Sequence, residues 1–194
     1  MSLLKSLCYN LKRELSNFEV NIYGVKVKKG IERYLELPEG YPAELLKGEI
    51  VMVPSPSRYH QEVALEIVSA IYKVVKEKDL GKVFYEFDVH LDDKNVVRPD
   101  IVFISKERES MIKDHWVEGA PDLIVEIVSS ASKTRDFIVK RELYEKSGVK
   151  EYWIVDPETK EIVLLENDGG HFKLKCYGKE CKSSVLKDFS WGFK

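Results

Sequence analysis

Residues 123–155 read LIVEIVSSASKTRDFIVKRELYEKSGVKEYWIV. The stretch opens on an apolar run, Leu123–Val128, interrupted only by Glu126. A short apolar run bounded by polar residues predicts a buried strand. Serines follow, and from Ser132 or Thr134 the pattern reads as a helix that runs to Ser147 and closes at Gly148. Glu151–Val155 is a second strand, rich in the aromatic and β-branched residues that suit a pleated surface. One helix set among strands in this way fits an α/β or α+β domain built on a central mixed β-sheet.

Upstream, Val96–Ile104 ends in the buried-looking run IVFI, and Lys82–Leu91 alternates with Val83, Tyr85, Phe87 and Val89 on one face. Before these strands, Pro54 and Pro56 break a strand around Gly48, and Ser57 is placed to cap a long helix reaching about Lys78. Residues 30–42 predict a short helix, and Val20–Val27 a hairpin turning near Gly24. Leu3, Leu4, Leu7, Leu11, Leu15 and Phe18 keep helical spacing, an amphipathic helix suited to packing on the domain or on a partner chain. Downstream, DPETK is a turn before the strand Ile162–Leu165, Asp168-Gly169-Gly170 a turn before Phe172–Cys176, and residues 105–121 read as polar loop or short helix.

The chain has 194 residues, 44% hydrophobic and 33% charged, enough for one domain with its own core and too apolar for disorder. No apolar run approaches the length of a membrane span and no signal peptide is legible, so a cytoplasmic protein is expected. Its three cysteines include no CxxC pair; Cys176 and Cys181 could bridge, but two reduced thiols on neighbouring strands suit that setting better. A net charge of −2 argues against a non-specific nucleic-acid coat protein.

The residues that break their local rule are acids inside apolar strands. Asp100 sits between Arg98-Pro99 and IVFI, and Glu126 lies within LIVEIV. A lone strand acid is usually the polar side of an alternating pattern. Two acids on successive apolar strands would stand about 5 Å apart if those strands pair, close enough to share a divalent cation. On the following helix, Asp136, Lys140 and Tyr144 fall at i, i+4 and i+8. By itself that spacing describes a solvated face with an ion pair; its direct connection to the Glu126 strand lets Lys140 fold back over the same end of the sheet.

RPDIVFIS, followed by PDLIVEIVSSASKTRDFIVKRELYEKSGVKEYWIVDPE, resembles the Uma2-type (DUF820) group of restriction-endonuclease-like proteins, within the PD-(D/E)xK nuclease superfamily. The likeness runs from about Ile31 to Glu166 and takes in AELLKGEIVMVPSPSRYHQEV. It implies a restriction-endonuclease-like core, a sheet flanked by helices, over 31–194, with residues 1–30 as an extension. Asp100 then matches the first motif acid and Glu126 the second. The motif lysine belongs at position 128, where this chain has Val128; the group carries a lysine on the following helix instead, and Lys140 occupies that place. Glu44 matches an upstream acid, while His60 and Tyr144 match recurrent positions with no role assigned.

The chemistry so implied is phosphodiester hydrolysis in DNA. Mg²⁺, or Mn²⁺, would be held by Asp100, Glu126 and the backbone carbonyl of Ile127, with Lys140 steadying charge on the phosphate and Glu44 completing the site. Replacing Lys140 by alanine should then abolish activity with the fold intact. Arg58, Arg98, Lys133, Arg135 and Arg141 are candidate substrate contacts. A homodimer would let each DNA strand meet one site, with the N-terminal helix as interface. The alternative is a non-catalytic nucleic-acid-binding or assembly module on the same fold, and a third reading is hydrolysis of another phosphate ester.

Overall fold

Pro54 and Pro56 stop one element and Ser57 starts the next: its hydroxyl accepts the His60 backbone N–H at 3.2 Å, capping a 21-residue helix. In the computed structural model, residues 18–20, 26–28, 30–38 and 40–194 are described. The predicted amphipathic helix and the hairpin's turn lie outside them. In chain order the elements are β1 (Phe18–Val20), β2 (Lys26–Lys28), α1 (Gly30–Tyr34), β3 (Ala43–Leu46), β4 (Glu49–Met52) and α2 (Arg58–Lys78). Next come β5 (Gly81–Tyr85), β6 (Asp88–Asp92), β7 (Asn95–Val97), β8 (Ile101–Ser105), a 3-10 helix (Lys106–Met111), β9 (Trp116–Glu118) and β10 (Leu123–Ile127). A π-helical stretch (Arg135–Lys140) runs into α3 (Arg141–Ser147), followed by β11 (Glu151–Asp156), β12 (Glu161–Asp168), β13 (His171–Gly178), β14 (Glu180–Lys182) and β15 (Ser190–Gly192).

The chain divides into two compact units, residues 1–53 with 93–96, and residues 54–92 with 97–194. In the first, β1 pairs antiparallel with β2, β3 with β4, and Leu45 of β3 with Val96. Tyr34, Leu45 and Val96 form a small core there, and the Tyr34 hydroxyl donates to the Ala43 carbonyl at 3.3 Å.

The second unit carries a six-stranded mixed sheet in the order β13-β12-β11-β10-β8-β5. Only β10 and β11 run parallel; the remaining neighbours are antiparallel. The parallel pair is joined through the π-helical stretch and α3, the connection parallel strands require. Period-two alternation gives β10 two different faces. Val125 and Ile127 join Ile101, Phe103, Trp153 and Val155 beneath the apolar stripe Ala64, Ile67, Ile71, Val75 of α2. Ile124, Glu126, Tyr152 and Ile154 alternate onto the opposite face, where Tyr144 meets Tyr152 edge-on at 4.9 Å. Gly148, at φ 87, caps α3 in the left-handed conformation, as its position predicts. Replacing Ser57 with alanine should cost about 1 kcal/mol, read from the shift in a denaturant midpoint.

Three expectations change. Lys82–Leu91 is two strands, because Glu86 takes φ 48 and turns the chain between β5 and β6 although the alternation runs on unbroken. The helix after β10 opens with π rather than α hydrogen bonding. Cys176 and Cys181 are disulfide-bonded, Cα atoms 5.9 Å apart, across the connection between β13 and β14. They sit where two strand ends converge, which spacing alone left open. Among the described residues no helix is long and apolar enough to cross a membrane.

Candidate active site

β8 and β10 pair antiparallel with Ile101 opposite Val125, so one further step of the register sets Asp100 opposite Glu126. The two acids read as exceptions in the sequence therefore stand at the same end of adjacent central strands. Asp100 is held from two sides: its Oδ2 accepts the Ile127 backbone N–H at 2.6 Å, and its Oδ1 lies 2.8 Å from His60 Nε2. Both side chains keep 13% exposure. Burial alone would lower the His60 pKa, but the hydrogen bond and charge of Asp100, helped by Glu86 and the Ile127 backbone, raise it above the ordinary histidine value.

Glu126 faces the other layer. Its Oε1 accepts from Lys140 Nζ at 2.9 Å and from the Tyr144 hydroxyl at 2.6 Å. Lys140 also lies 3.8 Å from Asp136 Oδ1, and the Tyr152 hydroxyl donates to the Asp136 carbonyl at 3.1 Å. Glu126, Asp136 and Lys140 are 3–4% exposed and Tyr144 is fully buried. The i, i+4, i+8 face is thus packed on the sheet rather than solvated. The alternation explains how position 128 can be valine: residues 126 and 128 share a strand face, and Lys140 reaches that face from the covering helix. The i→i+5 bonding of the π-helical stretch ends at Lys140, and single π turns of this kind recur at functional sites.

Glu44 is buried on β3 and belongs to the first unit, not to the unit carrying Asp100 and Glu126. Among the candidate substrate cations, Arg58 pairs with Glu62 at 3.4 Å, Arg98 with Asp88 at 2.6 Å, Lys133 with Asp156 at 2.7 Å and Arg141 with Glu145 at 3.8 Å. Arg58 and Lys133 are exposed enough that such pairs are weak and exchangeable. Tyr152 and Trp153 are core, as the strand pattern predicts. Trp116 stacks on His90 at 4.9 Å and donates to Glu118 at 2.9 Å, a packing role.

Two contacts were not predicted from sequence. The His60 contact had one usable signal, a histidine in the first turn of a helix whose cap, Ser57, was visible. The Tyr144 hydroxyl had one too, its i+8 place on the face of Asp136 and Lys140, but that spacing by itself describes a solvated face.

Fold and site together define the class: a restriction-endonuclease-like α+β domain with a buried acid–lysine cluster at one end of its sheet. The family described as "Uma2: Putative restriction endonuclease" matches residues 31–193, and the chain belongs to it. The solved structure of a "putative nuclease belonging to DUF820" from Anabaena variabilis ATCC 29413 superposes with a TM-score of 0.69 at 21% identity, over 84% of this chain and 93% of that one. No curated protein sequence matches.

Proposed function

We propose that this protein is a metal-dependent nuclease that hydrolyses phosphodiester bonds in DNA, with Asp100, Glu126 and the Ile127 carbonyl as the groups that hold Mg²⁺ or Mn²⁺. The observation that carries the reading is the register of Asp100 against Glu126 on two central strands, with Lys140 bonded to the second acid. The donors are hard oxygens, two of them anionic, the set Mg²⁺ accepts while keeping waters and substrate oxygens. When bound, such a cation supplies neutralisation of phosphate charge and a water of lowered pKa. The chain's own residues set the stage for it. The Ile127 N–H holds Asp100, while Lys140 and Tyr144 orient Glu126 in the apolar layer. Glu44 is no part of this proposal. The homodimer reading rests on the N-terminal helix, which lies outside the described residues.

A second reading, a nucleic-acid-binding module without catalysis, is favoured by two observations. Lys140 is buried against Glu126 and Asp136, and among the described residues no group of three or more His, Cys, Asp or Glu is placed to hold a metal.

Labelled single- and double-stranded DNA incubated with Mg²⁺ or Mn²⁺ separates the two. The nuclease reading expects cleavage by the wild type that chelation stops and that Asp100→Ala lowers by at least about 100-fold. Retention of DNA in a gel shift without metal-dependent cleavage would support the binding module.

A further inference from the structure

We propose that His60 is a positioning residue of this site, one that fixes the Asp100 carboxylate for a divalent cation. The inference rests on the functional reading above and adds a residue to which that reading gave no role. Its basis is the line of the α2 stripe. His60, Ala64, Ile67 and Ile71 fall at i, i+4, i+7 and i+11, so the face that packs Ala64, Ile67 and Ile71 onto the sheet continues to the imidazole at its first turn. The helix is thereby registered against the strands by its apolar side chains, and the ring is delivered to Asp100 at 2.8 Å. Ser57 fixes where the helix begins, through the His60 N–H.

Asp100 is the first residue before β8, where a carboxylate would otherwise rotate. One oxygen is bound from β10, by Ile127, and the other from α2, by His60, so the carboxylate plane is set by two separate elements. Both side chains retain some exposure, so a dissolved cation reaches them without unfolding. Hydrogen bonds to a ligating carboxylate are the outer layer that orients a metal site, and losing one typically weakens binding by about 10- to 100-fold. A purely architectural His60 would instead affect the docking of α2 and leave metal affinity alone.

The test is calorimetric titration of Mn²⁺ into the full chain, with thermal unfolding of each variant as the control. His60→Ala should bind Mn²⁺ about 10- to 100-fold more weakly than wild type while remaining folded at the assay temperature. His60→Gln, whose amide can donate to Asp100, should recover most of the affinity. Ser57→Ala should lower the melting temperature and leave the Mn²⁺ affinity in place. Unchanged affinity in folded His60→Ala would overturn the assignment, and so would a His60→Gln variant as weak as the alanine one. If His60→Ala unfolds, His60→Phe carries the same comparison, keeping a ring without a donor: weaker binding supports the role and unchanged binding overturns it. A wild-type chain that binds no Mn²⁺, with or without DNA, would overturn the functional reading and this inference with it; binding by the wild type that His60→Ala leaves untouched would overturn this inference alone.

Discussion

Replacing Lys140 with alanine will cost the protein stability as well as activity. The sequence reading expects an exposed amine whose loss leaves the fold intact. In the structure that amine is 4% exposed, 2.9 Å from Glu126 and 3.8 Å from Asp136. Removing it keeps both carboxylates in the apolar layer without its charge. Breaking a buried pair by deleting one partner costs about 3–5 kcal/mol, a large share of a domain's total stability. Denaturant unfolding of Lys140→Ala should show that loss as a lowered midpoint with an unchanged slope. Adding Glu126→Gln removes one of the stranded charges and should recover part of the stability with no return of activity. A wild-type midpoint for Lys140→Ala would mean that the buried pair does not form.

Glu151→Ala should match that loss of stability from the other end of the sheet, with the site untouched. Glu151 is fully buried at the start of β11, and its carboxylate accepts four hydrogen bonds. The donors are Trp153 Nε1 at 2.7 Å, the Ser183 hydroxyl at 2.6 Å, and the backbone N–H groups of Ser184 at 2.7 Å and Val185 at 3.1 Å. Alanine would leave the Trp153 and Ser183 donors buried without this partner, and the Ser184 and Val185 N–H groups half-buried. A stranded buried donor costs about 1–3 kcal/mol, so a combined effect on the order of 4 kcal/mol is expected after partial relaxation. Because β10 and β11 are parallel, Glu151 pairs with Leu123 while Val155 pairs with Ile127, so the site lies at the far end of both strands. Below the melting temperature, Glu151→Ala should therefore bind Mn²⁺ as the wild type does. Lost metal binding in a folded Glu151→Ala protein would contradict this separation of scaffold from site.

Both effects come from burial, the feature least legible in the sequence. The strands with a single dominant signal were readable: LIVEIV, IVFI and EYWIV are β10, β8 and β11 within a residue or two. So were the two ends set by local chemistry, Ser57 as an N-cap and Gly148 as a stop. What failed was any feature decided by a single backbone conformation or by distant contacts. The left-handed Glu86 divides β5 from β6 inside an uninterrupted alternation. Nothing in RDFIVK distinguishes π from α bonding. Cys176 and Cys181 meet only because β13 and β14 converge. β14 and β15, three residues each, are too short to carry a periodic signal.

The site divides along the same line. Asp100 and Glu126 were visible because an acid in an apolar strand is costly and demands a partner. Lys140 was placed through the family resemblance, and the structure supplies its physical reason, a shared strand face reached from the covering helix. That the lysine is enclosed rather than presented was invisible, since charges at i, i+4 spacing are ordinarily solvated. Asp122 makes the same point outside the site. Burial would push its carboxyl up, yet Lys150, the Ser105 N–H and Arg108 hold it below the usual carboxylate range. Those partners lie 14 to 28 positions away and no local motif announces them.

If Asp100 and Glu126 together hold one divalent cation, neither can be lost without losing the ion. Titrating Mn²⁺ into the wild-type chain, Asp100→Asn and Glu126→Gln, in the presence and absence of DNA, tests it most directly. The amides keep side-chain size and remove the negative charge, so folding can be verified in the same samples. The expected result is saturable binding by the wild type and loss of that binding in each variant. Binding that persists in both folded variants, or no binding by the wild type even with DNA present, would contradict it.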